Sequence, residues 1–159
     1  MVFLTVGTQF PFDRLVRGID KALSQDPLEF EIFGQIGDST YQPQNFKAVP
    51  TLDKPEFDRI MSESSAVIGH AGIGTIKWAL DSHKPLLVMP RLAKYGEVVN
   101  NHQVGIARRF ADLGLLLTAE DENGLLAKLR ELKSFSPRQR VNQADRVADR
   151  IERFLKQVL

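Results

Sequence analysis

Residues 66–90 read AVIGHAGIGTIKWALDSHKPLLVMP, and how that stretch is read decides the fold. Two apolar strips, residues 66–69 and 86–89, have the composition of buried strands. Between them lie a turn with two glycines, His70-Ala71-Gly72-Ile73-Gly74-Thr75, and a helical segment from about residue 73 to 82. Strand, helix and strand in such close succession is the repeating unit of a parallel sheet.

The alternation extends in both directions. VFLTV (2–6) is a short β-rich run that stops at Gly7. Beyond Gln9, Phe12, Leu15, Val16, Ile19 and Leu23 fall at helical spacing, with Arg14, Arg17, Asp20 and Lys21 between them. FEIFGQIG (30–37) and FKAVPTL (46–52) read as strands, and GDSTYQPQN (37–45) as a loop by composition. KPEFDRIMSESS (54–65) puts proline at a helix start and Phe57, Ile60 and Met61 on one face. Downstream, VVNNHQVGIARRFADLG (98–114) predicts a helix closing at Gly114 as its C′ residue. LLLT (115–118) predicts one more strand, and Thr118 a cap for AEDENGLLAKLREL. Ser136, Pro137 and Gln139 form a capping box before a final helix that aligns Val141, Ala144, Val147, Ile151, Phe154, Leu155 and Val158. The fold class expected is α/β: a single Rossmann-like domain over residues 1–159 with a mostly parallel sheet.

Bulk properties narrow the function. At 159 residues the chain suits one domain with a real core, and its 43% apolar and 26% charged residues carry no disorder signature. A net charge of +1 selects no polyanion, so no nucleic-acid partner is expected. The absence of cysteine excludes disulfides and thiolate metal sites and suits a reducing cytoplasm. The apolar start, MVFLTVGTQFPF, is too short for a signal peptide or a membrane span. A soluble, cytoplasmic protein is expected, unless a partner holds it at a membrane.

Ligands of open α/β sheets bind outside the carboxyl ends of the strands. Gly7-Thr8-Gln9 and the turn from His70 to Thr75 both lie there, each ahead of a helix whose first N–H groups favour an anion, above all a diphosphate. The competing reading is that these glycines serve backbone geometry alone, and spacing leaves both open. No G-K-[ST] follows, so the turn is not a Walker loop, and no third glycine makes it a dinucleotide fingerprint. His70, His83 and His102 lack metal-ligand spacing, so neither a metal nor a cofactor is expected. No D-x-D occurs either, against a divalent-metal glycosyltransferase of that type. His83 sits where a helix should stop. Asn101, His102 and Gln103 open a third helix at the same sheet edge, with capping by Asn101 as the plainer reading. Asp13 and Asp53 read as helix caps rather than bases.

SAVIGHAGIGTIKWALDSHKPLLVMP followed by NNHQ resembles the C-terminal domain of glycosyltransferase family 28, the nucleotide-binding half of two-domain GT-B enzymes. The order H-A-G-x-G-[ST], K-P-L-x-V-x-P, N-x-H-Q is specific in combination. FLTVGTQ (3–9) and GQIGDSTYQPQN extend the likeness over nearly the whole chain. It is most similar to short stand-alone members: PssE-like bacterial exopolysaccharide subunits and the soluble subunit of the eukaryotic GlcNAc transferase acting on dolichol diphosphate.

The resemblance implies a UDP-sugar donor. Gly7, Thr8 and Gln9 match the first glycine-rich loop, and His70, Gly72, Gly74 and Thr75 the diphosphate turn. Asn101 and Gln103 match the pair contacting the donor sugar, with His102 between them as a further binder. Leu52 falls near the segment that packs the uracil. It also implies an inverting, metal-independent transfer, a membrane-anchored N-terminal-half (PssD-like) partner bearing the general base, and a lipid-linked saccharide acceptor. One position departs: Trp78 stands where many members place a ribose-binding glutamate, and an indole only donates. Either Asp81 or Gln103 then takes the ribose or donor binding is weak, and as an aromatic in a short helix Trp78 also reads as a core residue. The alternatives are a non-catalytic nucleotide-sugar-binding or regulatory subunit and a self-sufficient homodimeric transferase.

Overall fold

The computed structural model describes residues 1–138. The final amphipathic helix and Gln139 of its capping box lie outside the described residues. Six strands, β1 (Val2–Thr5), β2 (Ile32–Gln35), β3 (Lys47–Val49), β4 (Ala66–His70), β5 (Leu86–Met89) and β6 (Leu117–Thr118), alternate with five helices: α1 (Asp13–Gln25), α2 (Lys54–Glu63), α3 (Ile73–Asp81), α4 (His102–Asp112) and α5 (Leu125–Leu132). All the pairings are parallel, in the order β3-β2-β1-β4-β5-β6. The expected mostly parallel sheet is therefore wholly parallel among the described residues.

The strands read as unbroken apolar runs because both faces are covered. Val2, Leu4, Ile68, Leu87 and Met89 pack with Leu15, Val16 and Ile19 of α1 and Leu125 and Leu129 of α5. Phe3, Val67, Leu86 and Val88 point the other way, onto Ile60 and Met61 of α2, Ile76 and Leu80 of α3 and Ala107 of α4. This alternation along each strand is the period of two that a strand imposes.

Helix ends follow the local chemistry, with three departures. Asp53 caps α2, its side chain accepting from Glu56 N–H at 2.8 Å. Gly114 follows α4 at φ 69°, and the bonds Gly114 N–H to Ala111 O and Leu115 N–H to Phe110 O complete a Schellman motif. His83 does the same for α3 at φ 51°, with His83 N–H on Leu80 O and Lys84 N–H on Ala79 O. Asp13, by contrast, is the first helical residue and not the cap, a position Phe12 holds. Its carboxylate instead receives Ser39 Oγ and Thr40 N–H, while Asp20 holds Tyr41 OH, Gln44 N–H and Asn45 N–H. Two carboxylates about two turns apart on one face thus lace the polar 38–45 loop onto α1. Thr118 belongs to β6, and α5 begins only at Leu125, because the Asp121 side chain takes the N–H groups of Asn123 and Gly124 and turns the chain there. Finally, α4 starts at His102 rather than near Val98; residues 93–95 form a 3-10 turn that ends at Gly96.

Candidate functional site

The sheet order places β1 and β4 side by side while their crossovers run in opposite directions, which opens a crevice at their carboxyl ends. The loops after β1, β4 and β5 line a cleft of about 440 Å³ there. Gly7, Thr8, Gln9, His70, Gly72, Gly74, Thr75, His102 and Gln103 are on its walls. Three segments separated by tens of residues are brought together by topology alone.

The β4–α3 turn is the best formed part. Gly72 is the N-cap of α3, no side chain caps the helix, and no acidic residue lies in its first turn. The leading N–H groups therefore keep no helical partner and carry the positive end of the dipole. The two glycines have different causes. A Cβ on Gly72 would stand 2.3 Å from Nε2 of His70, so this glycine makes room for the ring. A Cβ on Gly74 would meet nothing within 4 Å. Glycine inside a helix costs about 0.5–1 kcal/mol relative to alanine, so packing gives no reason for it.

His70 ends β4 with its ring between Gly7 and Gly72. Its Nδ1 is buried without a hydrogen-bond partner. Burial first, and the Arg91 charge second, push the imidazole down to about 4, so it is neutral at pH 7. An orphaned acceptor is tolerated better than an orphaned N–H, which places the proton on Nε2 as a donor. A consequence for stability follows. Between pH 6.5 and 4 the unfolded histidine binds a proton that the folded one refuses, so stability falls as pH falls through that window. Urea unfolding at pH 7 and pH 4.5 should show a loss of up to about 3 kcal/mol that His70→Gln removes.

The first glycine loop is built differently from the expectation that both turns lead straight into helices. Gly7, at φ 78°, turns the chain out of β1, but Phe10, Pro11 and Phe12 intervene before α1, whose first turn carries Asp13. Among the described residues, only α3 and α4 bring their N-termini to the cleft wall. On α4, Asn101 holds the N-cap position without a side-chain capping bond, and the Asn100 side chain accepts from His102 N–H at 3.1 Å. Asn101 is turned away to accept from Ala93 N–H and does not line the cleft. Leu52 does not line it either; it is half-buried on the α2 side of the sheet, with its N–H on Gln35 Oε1. Gln103 is buried, and its Oε1 accepts from Arg91 N–H at 3.1 Å, so what it can still offer at the cleft wall is the NH₂ donor.

The profile of the glycosyltransferase family 28 C-terminal domain matches residues 1–158. The chain belongs to this family. It is similar to the UDP-N-acetylglucosamine transferase subunit ALG13 of Homo sapiens, 32% identical over 124 residues, which cover 72% of this chain and 10% of that protein. It thus spans a small part of that relative's length. A solution structure of ALG13 superposes with a TM-score of 0.60 at 23% identity, over 92% of this chain and 93% of that one. MurG of Acinetobacter baumannii superposes with a TM-score of 0.63 at 20% identity, over 82% of this chain and 40% of that one. At these identities the two structures speak to fold alone, and the fold is that of the GT-B glycosyltransferases.

Trp78, the departure from the family pattern, packs half-buried against the core between α2, α3 and α4 and is not on the cleft wall. Asp81 is equally remote, paired with Lys77 at the far end of α3. Of the two ribose candidates, only Gln103 reaches the cleft.

Sequence reasoning missed Arg91, which lines the cleft although it is only 3% exposed. The available signal was a charge set directly after the apolar strand LLVMP. It also missed the partner network. Arg14 forks onto Glu97 (Nε to Oε1 2.8 Å, Nη2 to Oε2 2.9 Å), and Glu97 Oε2 accepts from Leu92 N–H. These residues are distant in sequence and carry no recognisable spacing.

Proposed function

We propose that this chain is the donor-binding subunit of an inverting, metal-independent glycosyltransferase that uses a UDP-sugar. The observation that carries this reading is Gly74: an uncapped helix start and an open glycine position facing a cleft at the switch point of the sheet. Such a site suits a diphosphate. Family membership and the similarity to a UDP-N-acetylglucosamine transferase subunit support the same chemistry.

In this mechanism an acceptor hydroxyl attacks the anomeric carbon from the face opposite UDP. The bond from that carbon to the diphosphate oxygen breaks, and the hydroxyl proton passes to a base. The α3 amides and the Nε2–H of neutral His70 donate to the oxygens on which charge develops as UDP leaves. Among the described residues no carboxylate lines the cleft, and in this reading the base belongs to a membrane-anchored N-terminal-half partner that closes over it, with a lipid-linked saccharide as acceptor. In this reading the chain works at the cytoplasmic face of the membrane through that partner. No helix of the described residues is long and apolar enough to cross a membrane.

Calorimetric titration of UDP into the chain, alone and co-expressed with such a partner, tests the reading. Binding is expected in both, and sugar transfer to the lipid-linked acceptor only in the complex. Failure to bind UDP even in the complex would leave a regulatory role. Transfer by the chain alone would make it a self-sufficient enzyme.

A further inference from the structure

We infer that Arg91 is a positioning residue for this cleft: one buried guanidinium ties the loop after β1 to the loop after β5 and so sets where the Gly7–Gln9 amides meet a ligand. The inference rests on the donor-site reading only for what the ligand is.

The geometry is that of a staple. Nη2 of Arg91 donates to Val6 O and Phe10 O, both at 2.7 Å, and Nη1 to Pro11 O at 2.8 Å and Glu97 O at 3.3 Å. Val6 and Phe10 flank Gly7-Thr8-Gln9, so a single group closes that loop at both ends. Among the described residues the only other hydrogen bond of Gly7–Phe10 is the long contact from Gly7 N–H to Thr5 Oγ1 at 3.4 Å. Without Arg91 the loop has almost nothing to hold it. The backbone N–H of the same residue holds Gln103, which joins the start of α4 to the assembly. The Phe12 ring lies 4.7 Å from the guanidinium carbon and fixes its plane.

Two features set Arg91 apart from a residue that merely fills the fold. It lines the cleft, and among the described residues its guanidinium donates to backbone carbonyls, because the Glu97 carboxylate is forked by Arg14. Its charge thus stays beneath the cleft, while its donors define loop spacing. Only a planar guanidinium spans four acceptors on two loops; a lysine ammonium donates from one point.

The test compares wild type with Arg91→Lys and Arg91→Gln, using UDP as the probe and ¹⁵N relaxation as a readout independent of ligand. In Arg91→Lys, UDP affinity should fall about tenfold or more. The amide order parameters of Gly7–Phe10 should drop from the rigid range, about 0.85, towards about 0.6, with those of β1 and of residues 72–76 unchanged. Unchanged order parameters at Gly7–Phe10 would overturn the inference. So would affinity kept in Arg91→Lys and lost in Arg91→Gln, which would assign the effect to charge. If Arg91→Gln fails to fold, Arg91→Lys decides alone. If wild type does not bind UDP, the donor reading fails, while the relaxation data still decide the role of Arg91.

Discussion

Replacing Glu97 with alanine is expected to destabilise the protein by about 3–5 kcal/mol, the largest loss of any single side chain outside the apolar core. Glu97 is 8% exposed, Arg14 is equally buried, and Arg91 lies beside them. Removing the carboxylate strips Arg14 of both forked bonds and Leu92 N–H of its acceptor. Among the described residues the only other carboxylate near Arg14 is Glu122, at 3.8 Å and 43% exposed, too solvated to compensate. Two guanidinium groups would remain buried, with no buried carboxylate against them among the described residues. For a chain of this size the melting temperature should fall by about 10 °C. Lys77→Ala, which breaks the exposed pair with Asp81, serves as the control and should stay within about 1 kcal/mol. A similar small loss for Glu97→Ala would show that the network is not what holds these loops.

Gly74→Asp should act in opposite senses on folding and on binding. Its Cβ enters open space, and its backbone needs no left-handed conformation. An aspartate in the first turn of α3 complements the helix dipole and replaces a flexible glycine, so folding stability should hold or rise slightly. The same carboxylate would face a bound diphosphate. Like charges about 5 Å apart at an effective dielectric constant near 20 repel by about 3 kcal/mol, which is roughly a hundredfold in affinity. Calorimetry with UDP and a thermal melt on the same sample read both effects. Unchanged affinity would remove the phosphate role from this turn.

The fold was largely legible because parallel strands covered on both faces are apolar runs, and helices between them declare their caps through Asp53, Pro55 and Gly114. What misled was local chemistry with two outlets. Thr118 and Asp13 are good capping residues, but one was taken by the β6 ladder and the other by the 39–40 loop. Asn101 and Asn100 are chemically the same, and only the path of the chain decides which one faces the helix. In the site, the glycine turns announced themselves by position, while Arg91 and Glu97 did not. Their roles depend on carbonyls and guanidinium groups some eighty residues away in the chain.

The His70 ring has a consequence for how this turn can vary among sequences. Its Cε1 would lie 3.0 Å from a Cβ at position 7 and its Nε2 2.3 Å from one at position 72, so a single imidazole forbids side chains at two places sixty-five residues apart. A chain that gives up the histidine is released from the steric demand at position 72, while position 7 still needs glycine for its φ of 78°. Position 74 is independent of that bargain, because nothing in the protein occupies its space. In the donor-site reading, its tolerance is set from outside the chain, by the diphosphate that enters the cleft.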